Sequence, residues 1–131
     1  KILAGFAGAV ADAMALFEKF EAKLTEVNGN LQKAVVEMAK DWRTDKVLKE
    51  LDALLAIMDN KSAYLLSGSG DVIEPDDQVI SIGSGSGYAV AAARAYLDAG
   101  EKNPEVIVKN AMKITAELCI YTNDKITILE A

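Results

Sequence analysis

KILAGFAGAVADA, residues 1–13, is the stretch whose reading decides the fold. A short apolar run (Ile2, Leu3, Ala4) meets Gly5, then Phe6, Ala7 and Gly8, and a helical pattern takes over from Val10. Residues 1–5 read as the end of a strand, and residues 5–8 as a strand-to-helix turn. A second turn of this kind is GSGSG, residues 83–87, between the apolar run 79–82 and the alanine-rich helical stretch 88–97, YAVAAARAYL. The fold is therefore α/β in content, with two backbone-rich turns where strands feed helices.

The 131 residues suit one domain, and with 51 % hydrophobic residues they can bury a sizeable core. No apolar run approaches the ~18 residues of a membrane span. No charged segment followed by an apolar stretch and a small-residue cleavage site marks a signal peptide. With 20 acidic against 14 basic residues and no Lys/Arg run, neither nucleic acid nor an anionic membrane is expected as a main partner. Cys119 is the only cysteine, so no internal disulfide forms and a reducing compartment fits. Between Leu118 and Ile120 it reads as a buried small hydrophobe rather than a reactive thiol. The chain has no histidine. It cannot assemble a Ser-His-Asp or Cys-His mechanism within itself, and His-based or thiolate zinc sites are excluded. A hydrolase built on it must activate its nucleophile with an amine or a carboxylate.

Further along, Val10, Met14, Phe17, Leu24 and Val27 recur at helical spacing and predict a packing face. Asn28-Gly29-Asn30 ends that helix, because Asn and Gly tolerate a left-handed backbone, and Asn30 can cap the next one. Leu31, Val35, Met38 and Trp42 form the second stripe. Residues 46–58 could continue as helix on propensity alone, but short apolar runs split by turn residues predict helix to about Glu50, then strands over 53–58, 63–67 and 71–73, a loop at Pro75, and a further apolar run over 79–82. Asn103 before Pro104 marks an N-cap with Pro at the first helical position. The last helix is expected to pack through Val106, Val108, Ala111, Ile114 and Leu118, and a loop and final strand close the chain. Helices come in consecutive pairs rather than singly between strands. That order fits two helical layers covering two stacked sheets, not a doubly wound sheet.

The glycine turns admit two kinds of chemistry. Backbone N–H groups at a helix N-terminus can cradle a phosphate, but neither turn carries the Gly-Lys-Ser/Thr of a P-loop, and GSGSG does not match the dinucleotide spacing. The nucleophile elbow G-x-S-x-G fails as well, since Ile82 stands two residues before Ser84. Alternatively, an exposed N–H at Gly5 could stabilise an oxyanion in acyl transfer, glycine there letting a substrate backbone approach closely. From spacing alone, close packing of helix on strand accounts for these glycines better than either.

Four stretches carry a resemblance: KILAGFAGAVADAMALFEKFEAKL, AVVEMAKDWRTDKVLKELDALL, ISIGSGSGYAVAAARA and CIYTN. Together they resemble HslV (ClpQ), the bacterial proteasome-like peptidase family, over all 131 residues. The resemblance implies an α+β fold, a four-layer αββα sandwich of the N-terminal-nucleophile hydrolase type. It implies a single domain over residues 1–131 that is incomplete at its N-terminus. It implies a threonine-type endopeptidase whose nucleophile is an N-terminal threonine with its own α-amine as base, which agrees with the absence of histidine. That threonine is not among residues 1–131, so these residues alone are expected to be inactive.

The same resemblance makes Gly5 the oxyanion-hole N–H donor and Ser84 a supporting residue near the threonine amine. A turn serine that satisfies its local backbone accounts for Ser84 equally well. Ala116, Cys119 and Thr122 match positions whose backbone carbonyls hold a sodium-like cation; Ala116 stands where the family often has glycine, and carbonyl ligation does not depend on the side chain. A helix C-terminus with water on its free carbonyls would look the same in sequence. No organic cofactor is implied, and ATP is used by the partner. The implied partners are further copies in a double hexameric ring, the hexameric AAA+ ATPase HslU, and unfolded polypeptides. The implied location is cytoplasmic. A catalytically inactive ring subunit of a proteasome-like assembly remains the alternative.

Overall fold

The computed structural model describes all 131 residues. The elements are β1 (Leu3–Gly8), α1 (Val10–Glu26), α2 (Leu31–Thr44), a 3-10 turn (Leu48–Glu50), β2 (Ala53–Met58), β3 (Ala63–Ser67), β4 (Val72–Ile73), α3 (Ser86–Asp98) and α4 (Pro104–Leu118). The four strands form one antiparallel sheet in the order β1-β2-β3-β4. Its register sets Gly5 opposite Ala56, Phe6 opposite Leu55, and Leu55 opposite Leu66.

Because side chains alternate across a strand, one face of the sheet carries Leu55, Ile57, Tyr64 and Leu66, all buried. Helices α1 and α2 cover that face. Leu31, Val35, Met38 and Trp42, the stripe expected of α2, are all buried in the same cluster. Phe6 reaches across from β1 to stack edge-on against Phe17 of α1, with ring centroids 5.4 Å apart. Lys23 and Asp41 pin the two helices together at 2.8 Å. Asn30 caps α2 by accepting from the Lys33 N–H at 3.1 Å, and Asn103 caps α4 by accepting from Glu105 at 3.0 Å, both as expected.

Several expectations are corrected. Helix α1 buries Ala13, Leu16 and Phe20, and Phe17, Leu24 and Val27 of the expected face pack against the same core, whereas Val10 and Met14 are exposed. Helix α4 buries Ala111, as expected, together with Ile107 and Thr115, and exposes Val108 and Leu118. Helix α2 ends at Thr44, where the Asp45 carboxylate accepts from Val47 and Leu48 N–H groups and turns the chain. The fourth strand spans only two residues. The strand expected over 1–5 runs from Leu3 to Gly8, so Gly5 lies within the ladder and the turn is at Gly8-Ala9.

Residues 79–82 and the closing KITILEA carry no ladder. A strand exists only by pairing, and neither segment pairs with the other or with β1–β4, so one sheet of the expected two is formed within the chain. The layer order is nonetheless visible. A cleft of about 230 Å³ is lined by Leu65, from the sheet face that points away from α1 and α2, by residues 79–81, and by Val90 and Arg94 of α3. The α3–α4 pair therefore lies on the opposite side of the sheet, with residues 79–82 between. Arg94 Nε meets Asp77 Oδ2 at 2.5 Å, and Asp77 Oδ1 accepts from the Val79 N–H at 3.2 Å, which fastens the start of that segment to α3. No helix is long and apolar enough to cross a membrane.

Candidate active site

Two of the glycines near β1 have opposite roles. At Gly8 the backbone is left-handed, φ +130°, and an added Cβ would lie 2.3 Å from the Asp52 carbonyl oxygen and 2.8 Å from Ala53 Cα. Gly8 is thus the packing glycine: the Ala9 N–H donates to Asp52 O at 3.2 Å, and Asp12 Oδ2 accepts from the Asp52 N–H at 3.0 Å, locking the start of α1 to the start of β2. At Gly5 a Cβ would meet nothing within 4 Å. Close packing, the simplest reading of the sequence at Gly5, does not hold there; nothing within the chain needs that position to be glycine. What its bareness leaves is open space along an exposed stretch of β1, an edge strand within this chain.

Gly5 and Ala7 share one face of β1, since alternate residues do. Their cross-strand partners Ala56 and Leu54 place it as the face turned away from α1 and α2. The second glycine turn approaches this same face. A Cβ at Gly83 would lie 3.6 Å from Ala7 Cβ. The two turns that looked alike in sequence thus meet in space, with Ser84 exposed at the tip of the second.

The turn is seated from behind by the C-terminal end of α4. Gly85 is buried, and a Cβ there would be 2.4 Å from Thr115 Cγ2 and 3.0 Å from Thr122 Cγ2. Thr115 Oγ1 donates to Ala111 O at 2.8 Å, so a buried hydroxyl is satisfied within the helix while its methyl bears on the turn. Cys119 is buried, as expected, and its thiol donates to Ser84 Oγ at an Sγ–Oγ distance of 3.9 Å. A cleft of about 130 Å³ lies between the turn (residues 81–85) and Met112, Thr115 and Thr122. Thr115 went unnoticed in the sequence. Its signal was a polar residue at the third position of the 107/111/115 stripe, where i, i+4, i+8 spacing otherwise selects apolar residues.

Ala116, Cys119 and Thr122 come together at the end of α4. The Cys119 carbonyl accepts from the Thr122 N–H at 3.1 Å and Thr122 Oγ1 at 2.7 Å. The carbonyls of Ala116 and Thr122 accept no hydrogen bond from the protein. Ala116 borders a groove of about 290 Å³ that Lys113, Glu117, Asn123 and Asp124 also line. Free carbonyl oxygens with carboxylates nearby are a donor set for a hard cation, and there is no cluster of three His, Cys, Asp or Glu side chains to bind a transition metal.

A helix pair, an antiparallel sheet and a second helix pair that holds a glycine turn against the sheet's far face define a proteasome-type fold. The sequence model of the proteasome subunit family matches residues 1–131. The chain is 56 % identical over 130 residues to the ATP-dependent protease subunit HslV of Pseudothermotoga lettingae, covering 99 % of this chain and 74 % of that protein. It is 57 % identical over 129 residues to the protein of the same name from Thermosipho africanus, covering 98 % and 73 %. The crystal structure of eukaryotic HslV from Trypanosoma brucei superimposes with a TM-score of 0.89 at 40 % identity, covering 94 % of this chain and 71 % of that one. The chain belongs to the proteasome subunit family, in its HslV branch of ATP-dependent protease subunits.

Proposed function

We propose that this chain is the peptidase subunit of an ATP-dependent proteasome-like protease, a threonine-type endopeptidase. The observation that carries the reading is the meeting of the two glycine turns: the open Gly5 shares a face of β1 with Ala7, and the turn that carries the exposed Ser84 approaches that face through Gly83. Family membership says what chemistry such a site serves. The nucleophile is an N-terminal threonine from outside residues 1–131, with its own α-amine as base. Its hydroxyl oxygen attacks the scissile carbonyl, and the bond from carbonyl carbon to oxygen gives up its π pair to form an oxyanion. Gly5 donates its N–H to that oxyanion. Ser84 Oγ takes part in the proton relay around the threonine amine. Substrate lies extended along β1 and pairs with it through main-chain groups, which favours weak side-chain specificity.

The carbonyls of Ala116, Cys119 and Thr122 hold a sodium ion, which supplies fixed positive charge at the end of α4. Two of the three oxygens are free of protein donors, which supports the assignment. The chain works as a double hexameric ring with itself, fed unfolded polypeptide by the hexameric ATPase HslU in the cytoplasm. The test is hydrolysis of a fluorogenic peptide by the full-length protein, alone and with the ATPase and ATP. Activity should rise with the ATPase and vanish when the N-terminal threonine becomes alanine; undiminished activity in that variant overturns the mechanism.

A further inference from the structure

We infer that Cys119 is a positioning residue for Ser84, holding its hydroxyl through the thiol while its own carbonyl stays in the loop at the end of α4. The inference rests on the reading of Ser84 given above. Ser84 is exposed at a turn tip, and its backbone neighbours are glycines, so little in its own segment fixes its side chain. The turn as a whole is seated by Gly83 against Ala7 and by Gly85 against Thr115 and Thr122. Neither contact touches the Ser84 hydroxyl. The one side chain that donates to it is Cys119, whose Sγ lies 3.9 Å from Oγ.

Cys119 is itself held at three points. Its N–H donates to Thr115 O at 2.9 Å, its carbonyl receives the Thr122 N–H and hydroxyl, and its side chain is buried. A rigid weak donor aimed at a mobile hydroxyl biases that hydroxyl toward one rotamer and leaves its own proton free to be given elsewhere. An oxygen that accepts from the thiol directs its own O–H away from Cys119.

The experiment uses the full-length protein with its N-terminal threonine, assembled with its ATPase, and reads kcat and KM separately. Ser84→Ala should lower kcat about tenfold or more. Cys119→Ala and the volume-filling Cys119→Val should each lower kcat about two- to fivefold, the range of a weak S–H···O contact, with KM within about twofold. Combined with Ser84→Ala, either Cys119 substitution should add no further loss. In the thiol-intact protein, the S–H stretching band assigned to Cys119 should move to higher frequency on Ser84→Ala, whether or not the Cys119 variants fold. Ser84→Ala without effect on kcat overturns the reading of Ser84 on which this rests. A kcat loss in Ser84→Ala alongside full activity in both Cys119 variants, additive losses in the double variants, or an unmoved S–H band overturns the role of Cys119 alone.

Discussion

Replacing Gly85 by alanine adds one methyl group where the glycine turn rests on α4. The backbone tolerates it, with φ −95° and ψ 8°, which any L-residue adopts. The cost comes from contact. The new Cβ would stand 2.4 Å from Thr115 Cγ2 and 3.0 Å from Thr122 Cγ2, against an ordinary carbon–carbon separation of about 3.5–4.0 Å. Relief requires the turn and α4 to part by about 1 Å, and overpacking of this kind costs about 1–3 kcal/mol. Ser84 moves with the turn, and a misplacement of about 1 Å can cost about a hundredfold in rate. Thr115→Ser removes the nearer methyl while leaving the hydroxyl that donates to Ala111 O in place. Alone it should destabilise by about 0.5–1.5 kcal/mol, the loss of one buried methyl. The pair should therefore couple: Gly85→Ala with Thr115→Ser should be more stable and more active than Gly85→Ala alone. Denaturant unfolding and peptide hydrolysis by the full-length protein measure both. Wild-type behaviour in Gly85→Ala, or simple addition of the two single losses, would refute the packing argument.

Gly5→Ala should leave thermal stability close to wild type, because its Cβ enters open space, yet lower kcat/KM for peptides; unchanged hydrolysis would remove Gly5 from the substrate path. Gly8→Ala should destabilise by about 3 kcal/mol or more, combining left-handed strain with a clash against backbone that cannot turn aside, as read from a denaturant midpoint. Two turns should set part of the acid limb of stability. Backbone N–H groups of Leu48 and Val47 hold the Asp45 carboxyl below its ordinary value, and those of Lys61 and Ser62 do the same for Asp59. That stabilisation is present above the unfolded value near 3.8 and is lost as pH falls through the lower folded values, so Asp45→Asn and Asp59→Asn should flatten the midpoint-versus-pH curve there. Lys23 behaves in the opposite sense. Its hydrogen bond to Asp41 raises its pKa above 10.5, so the bridge, worth about 0.5–1 kcal/mol, is intact below that value and lost as pH rises through the folded one. Lys23→Met should narrow the difference from wild type at high pH.

Local chemistry was legible wherever one residue decides the backbone. Asn28-Gly29 stops α1, with Asn28 at φ 55° and Gly29 at φ 79°, and Asn30 and Asn103 cap the helices that follow. The strands Ala53–Met58 and Ala63–Ser67 stand where short apolar runs split by turn residues placed them, because turn residues bound such runs on both sides. The stripe of α2 was equally plain, since its large apolar residues are its buried ones. In α1 and α4 only some are: Leu16, Phe20 and Ile107 are buried beside Ala13 and Thr115, while Val10, Met14, Val108 and Leu118 are exposed.

The candidate site divides the same way. Gly5, Ser84, Cys119 and Thr122 came forward through their resemblance to a family, and the absence of histidine had already ruled out the commoner hydrolase mechanisms. Which glycine packs and which stays open was beyond reach of the sequence. Gly5 and Gly8 are three residues apart and chemically identical, and only Asp52 and Ala53, brought alongside by the β1–β2 register, distinguish them. The contacts that seat the Ser84 turn likewise join residues 30 to 76 positions apart along the chain. Sequence by itself determined the four helices, the two central strands and the helix caps, because these depend on neighbours within a few residues. The tertiary structure alone decided which surfaces meet, because distance in space between residues so far apart is set by the packing of helices on a sheet and not by anything local to either.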